Sequence, residues 1–194
     1  MLQIKEVHFY EPLFLLDSQR TYWHKTPMKK NIVLVGLMGA GKSTVGRYLA
    51  KRLKMDFYDS DAEIEQRTGV NIATIFEIEG EEGFRAREEQ MIAKLCKLEN
   101  IILATGGGSV LNEKNRQVIQ KTGHVLYLST SAEQLYARIR HDRSRPLMQT
   151  ENPLQTLTDL LSAREPYYLE VADSIIKTGQ QRINVVISRI LSSL

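Results

Sequence analysis

The run Gly36-Leu37-Met38-Gly39-Ala40-Gly41-Lys42-Ser43 constrains this chain more than any other stretch. Gly36 and Gly41 stand five apart and are followed by Lys42 and a hydroxyl residue, the pattern of a phosphate-binding loop. Just before it, Ile32-Val33-Leu34-Val35 is a β-branched apolar run that reads as a buried parallel strand, and Thr44 to Leu53 reads as a helix. Glycines let the backbone curl with its N–H groups pointing inward and let an anion approach without meeting a Cβ. The helix adds its N-terminal dipole, Lys42 a point charge for β- and γ-phosphates, and Ser43 a hydroxyl able to ligate a bridging Mg²⁺. Gly39, Ala40, Gly41, Lys42, Ser43 and Thr44 are therefore the expected ATP-binding residues. A glycine-rich turn without function is the alternative, and the flanking strand and helix count against it.

At 194 residues with 42% hydrophobic content, the chain suits one domain with one sizeable core. Twenty-six Lys and Arg against 23 Asp and Glu leave +3, too mild to argue for nucleic acid. The one cysteine, Cys96, has no partner for an internal disulfide and sits among Ile92, Leu95 and Leu98 as a small buried apolar group. No apolar stretch approaches a membrane span, and Pro12 to Leu16 is too short for a secretory signal, so a soluble cytoplasmic protein is expected. Residues 1–28 mix His8, Phe9, Tyr10, Tyr22 and Trp23 with charges and lack periodicity, ahead of a second methionine, Met28. They read as a tail, either non-native or loosely docked, and residues 29–194 as a single domain.

Further along, Asp56 to Asp59 reads as a second strand whose end delivers Asp59, Ser60 and Asp61 to the side of the phosphate loop, where open parallel sheets bind ligands. Helical stretches follow at 61–68, 72–78 and 81–98, with Gly69 as a stop and Glu81 and Glu82 as dipole-complementing surface residues without a chemical role. Ile101 to Thr105 is a third buried strand running into Gly106-Gly107-Gly108, which reads either as a plain turn or as a wall that lets a substrate approach the main chain. A fourth strand spans 124–128, a helix 132–140, another helix starts at Asn152-Pro153, a fifth strand spans 174–177 and a closing helix 182–191. Alternating β and α elements predict a three-layer α/β/α sandwich with a central five-stranded parallel sheet. The segment 141–150 carries Arg143, Arg145 and Pro146; beside a nucleotide site such a cationic loop reads as a lid.

Taken in order, Gly36 to Ser43, Asp59-Ser60-Asp61, Gly80 to Arg85, Thr105 to Gly108, Arg145-Pro146-Leu147 and Arg164 make the chain resemble shikimate kinase, from about Lys29 to the C-terminus. The resemblance implies a nucleoside-monophosphate-kinase-like fold with a lid, a monomer, and phosphorylation of the 3-hydroxyl of shikimate by ATP with one Mg²⁺. It further implies that Arg85 and Arg164 clamp the substrate carboxylate, that Gly106, Gly107 and Gly108 lie near the ring, and that Asp61 accepts from the hydroxyls and orients or deprotonates the attacking one. Asp59 would hold Mg²⁺ through water, with Ser43; Glu88 would position the Arg85 guanidinium; Arg145 would reach the transferring phosphoryl group; and Arg138 would lie against adenine, with Arg140 an alternative. Phe76 and Phe84 fit either the ring wall or ordinary core. The planar guanidinium fork suits a carboxylate better than a lysine does.

The strand before Gly106 ends in Ala104-Thr105 rather than in the second acid that phosphate-loop proteins usually carry, which leaves Asp59 and Ser43 to serve the metal. A gluconate-type kinase of the same fold is the nearest rival reading. A nucleotide-operated switch would need a guanine-reading Asn-Lys-x-Asp segment, and Asn112-Glu113-Lys114-Asn115 does not fit.

Overall fold

The computed structural model describes residues 31–140 and 150–194; the tail at 1–28 and the segment with Arg143, Arg145 and Pro146 lie outside the described residues. Five strands, β1 (Asn31–Val35), β2 (Asp56–Asp59), β3 (Ile101–Ala104), β4 (Gly123–Ser129) and β5 (Ser174–Lys177), pair in the order β2-β3-β1-β4-β5. Every pairing is parallel, with Leu34 opposite both Ala104 and Leu126, and Asp59 opposite Ala104. That register brings the ends of β1, β2 and β3 to one edge. The phosphate loop, Asp59 to Asp61 and the glycine run all leave the sheet there.

The apolar runs of β1 and β3 are buried residue for residue because a central parallel strand is covered on both faces. Each fully buried Val, Leu or Ile contributes about 1.5–3 kcal/mol relative to exposure, so this continuous core holds the loop ends in register. The helices α1 (Lys42–Leu53), α2 (Ser60–Thr68), α3 (Ile72–Leu95), α4 (Glu113–Thr122), α5 (Ala132–Ile139), α6 (Pro153–Val171) and α7 (Ile183–Ser193) complete a three-layer α/β/α sandwich. Helix α1 packs with α7, while α4 contacts α3 and α6, and α6 contacts α5.

Local chemistry explains most helix ends. The Asp59 carboxylate caps α2 and Gly69, at φ 73°, closes it; Asn71 caps α3, and Asn152 caps α6 just before its first-turn proline. The two stretches expected at 72–78 and 81–98 meet at Gly80, whose φ of 70° and ψ of −175° kink α3, and the second ends at Leu95. Helix α4 has no counterpart in the sequence reading. Its residues EKNRQVIQKT are mostly polar and only Asn115 and Ile119 are buried, so the apolar stripe that announces a helix is too narrow to see. Cys96 is buried, as its apolar neighbours imply. Among the described residues, no helix is long and apolar enough to cross a membrane.

Candidate active site

Helix α1 starts at Lys42, and its N-cap, Gly41, offers no side chain to the first-turn N–H groups, which are left to face an anion. Gly41 has φ 96°, and Gly36 has φ 142° with its backbone so near β4 that a Cβ would lie 2.7 Å from the Leu128 carbonyl. Only glycine serves at either place. The Lys42 ammonium donates to the Gly36 and Leu37 carbonyls at 2.7 and 3.1 Å, across the mouth of the loop. A cavity of about 680 Å³ opens over the loop and is walled further by Arg138, Thr178, Gln181 and Ile183.

Beside the loop, the Ser43 hydroxyl donates to Asp59 Oδ2 at 2.6 Å, and Asp59 Oδ1 accepts from the Asp61 N–H at 3.2 Å. One carboxylate thus caps α2 and stays fixed against the loop hydroxyl. Among the described residues no cluster of three or more His, Cys, Asp or Glu could hold a metal by itself. Two hard oxygen donors side by side fit Mg²⁺, which keeps much of its shell as water and phosphate oxygen. Arg138 donates to the Gly39 and Ala40 carbonyls at 3.0 and 3.4 Å and to the carbonyls of Thr178 and Gly179.

A second cavity of about 440 Å³ adjoins the first and shares Met38, Asp61, Glu65 and Gly107 with it. Phe76 and Phe84, with ring centroids 4.8 Å apart, form one wall of the cavity, and Phe84 also belongs to the core. Arg85, Glu88 and Arg164 line the cavity with the three glycines. The Arg85 Nη1 donates to Glu88 Oε2 at 2.7 Å, and Glu88 is 0% exposed. Its other oxygen, Oε1, is buried without a hydrogen-bond partner among the described residues. Burial pushes the Glu88 carboxyl above its ordinary range, against the pull of Arg85 and Arg164.

Each glycine of the run has its own reason. A Cβ on Gly106 would overlap Glu88 Oε1 and come within 2.7 Å of Asp61 Oδ1; one on Gly108 would lie 2.5 Å from both terminal nitrogens of Arg85. Gly107 backs onto the phosphate loop, 3.3 Å from the Met38 nitrogen by the same measure. Side chains of the protein therefore require Gly106 and Gly108 to be small, while Gly107 is pressed by the backbone of the loop. Asp61 stands where the two cavities meet. Burial, then the charges of Glu88 and Asp59, push its carboxyl up from 3.8 to about 7, against Lys42 and Arg85.

The structure gathers every described residue expected at the site around these two cavities. Glu81, expected as a surface residue without a chemical role, is exposed and lines neither cavity, and its Oε1 accepts from Arg85 Nε and Nη2 at 3.2 and 3.1 Å. The i, i+4 spacing signals such a pair in any helix, but not that the arginine faces a cavity. Thr178, Gln181 and Ile183 carry no motif and reach the first cavity only because β5 lies beside β4. Arg145 lies outside the described residues.

A family model described as "Shikimate kinase" matches residues 38–194. The chain belongs to the shikimate kinase family. A shikimate kinase from Nitrosococcus oceani is 56% identical over 164 residues, 84% of this chain and 86% of that protein. The shikimate kinase from Acinetobacter baumannii, solved in complex with shikimate, is 48% identical with a TM-score of 0.82, over 84% of this chain and 91% of that one. A gluconokinase from Sinorhizobium meliloti, 16% identical with a TM-score of 0.57 over 86% of this chain and 91% of its own, shares the fold alone. The activity of the chain is that of its family, an ATP-using kinase of the shikimate pathway.

Proposed function

We propose that the protein transfers the γ-phosphoryl group of ATP in line to the 3-hydroxyl of shikimate, without a covalent enzyme intermediate. The observation that carries this reading is the meeting of the two cavities at Asp61, with the phosphate loop on one side and Arg85 and Arg164 on the other. Shikimate has one carboxylate and three hydroxyls, so it calls for cations at one end and acceptors at the other. Arg85 and Arg164 supply the first, and Asp61 supplies the second.

The loop N–H groups and Lys42 hold the phosphates, and Arg138, which lines the same cavity, lies against adenine. Ser43 and, through water, Asp59 would hold one Mg²⁺, which when bound neutralises charge on the β- and γ-phosphates. Asp61 accepts the proton of the attacking hydroxyl; a carboxyl raised to about 7 takes a proton more readily than an ordinary one. Glu88 holds Arg85 in place, Phe76 and Phe84 wall the ring, and Arg145 covers the transferring group. Catalysis is then mostly positioning and charge neutralisation. The protein works as a cytoplasmic monomer.

Acceptor-dependent ADP release from MgATP tests this directly, with shikimate, gluconate and no acceptor as arms, on the full chain and on Lys42→Ala. A shikimate-specific rate that the variant loses supports the reading. A gluconate rate equal to the shikimate rate overturns the acceptor assignment, and a phosphorylated enzyme that turns over at the catalytic rate overturns direct transfer.

A further inference from the structure

Within the glycine run, the Gly106 N–H donates to the Ser60 hydroxyl at 3.0 Å, while the N–H groups of Gly107 and Gly108 meet no acceptor among the described residues. The peptide between Gly107 and Gly108 is nonetheless anchored at its other end. Tyr168, 0% exposed, donates its hydroxyl to the Gly107 carbonyl at 2.5 Å. In a trans peptide the C=O and the following N–H point in opposite directions. The peptide is trans, and Tyr168 lines neither cavity. The Gly107 carbonyl is therefore turned to the interior and the Gly108 N–H away from it, where Gly108 lines the second cavity under the Arg85 guanidinium.

Tyr168 is itself held firmly. Its ring stacks on Tyr127 at 5.1 Å and 23°, and the Tyr127 hydroxyl donates to Glu165 Oε1 at 3.0 Å. Burial keeps the Tyr168 phenol well above its usual pKa, against the pull of the neighbouring Arg164 guanidinium, so it stays a donor throughout the working range. It also follows Arg164 by one helical turn on α6, so a single helix presents the buried arginine and locks the facing peptide.

We propose that Tyr168 is a positioning residue for the acceptor: its hydroxyl fixes the 107–108 peptide so that the Gly108 N–H, beside Arg85 and Arg164, donates to an acceptor carboxylate oxygen. The proposal rests on the acceptor cavity assigned above. Without the hydroxyl the buried carbonyl has no partner, and any turn of the peptide in search of one carries the N–H off target.

The test compares Tyr168→Phe with Tyr127→Phe, which removes a neighbouring hydroxyl from the same stack. Loss of one hydrogen bond to a carboxylate predicts that Tyr168→Phe raises the shikimate KM by about 5- to 20-fold and leaves the ATP KM within about twofold. Tyr127→Phe lowers Tm but moves neither KM. If Tyr168→Phe lowers Tm while the shikimate KM stays put, Tyr168 is only a packing residue and the proposal falls. Should that variant fail to fold, the wild-type protein decides: a slowly exchanging Tyr168 hydroxyl proton, together with a Gly108 amide proton that moves downfield on adding shikimate without ATP, supports the proposal, and the absence of either overturns it. Arg85→Ala separates the two levels. An unchanged shikimate KM there sinks the cavity assignment itself, whereas a raised one beside an inert Tyr168→Phe sinks only the role of Tyr168.

Discussion

Asp61→Asn should stabilise the protein at neutral pH while removing most of its turnover. The Asp61 carboxyl is raised from 3.8 to about 7, by burial first and by Glu88 and Asp59 after it. Below pH 4 it is protonated in both the folded and unfolded chain, and Asp and Asn are then nearly equivalent. Between about 4 and 7 the unfolded chain releases the proton while the folded one keeps it, so the folded state binds more protons and stability falls as pH rises. Above about 7 the loss is complete and constant. At 1.36 kcal/mol per pKa unit the ceiling is about 4 kcal/mol, and because Asp61 lines an open cavity with some access to water, about 2 kcal/mol is the expected share. Urea unfolding of both proteins between pH 5 and 8.5 measures it. The variant should gain steadily over the wild type up to about pH 7, then hold its lead, while kcat drops by about 10²- to 10⁴-fold. In the wild type, kcat/KM for the acceptor should climb over the same interval as Asp61 ionises. A stability gap that is absent at pH 8, or present and independent of pH, would refute the reasoning.

Arg85→Ala removes charge-assisted bonds to a carboxylate and should raise the shikimate KM by about 10- to 100-fold with a far smaller change for ATP; equal effects on both would count against the clamp. Gly108→Ala pushes a Cβ against the Arg85 guanidinium, which can swing aside, so Tm should hold while the shikimate KM rises; an unaltered KM would show that Arg85 is not needed in its present place. Removal of residues 1–28 should leave steady-state turnover within about twofold, since the assigned ligands all come from later residues. A folded but inactive truncated protein would contradict that.

Glu81 and Tyr168 show where sequence reading stopped. The i, i+4 spacing of Glu81 and Arg85 is visible in the chain, but a surface pair and a pair at a cavity mouth have the same spacing. Tyr168 and Gly107 are 61 residues apart, and no pattern along the chain links them. Helix α4 escaped for a different reason, because Ile119 is its one fully buried apolar residue and leaves no periodic stripe.

The phosphate loop, the acid-bearing end of β2 and the apolar runs of β1, β3 and β4 were determined by the sequence alone, because each rests on local chemistry: φ angles only glycine adopts, continuous apolar runs, and caps within a few residues of their helices. The strand order was decided by tertiary structure. So were the placing of Asp61 between two cavities with Glu88 and Asp59 for neighbours, the bonds of Arg138 to the back of the loop, and the locking of the 107–108 peptide by α6. Burial and long-range contact create those features, and neither exists until the chain has packed.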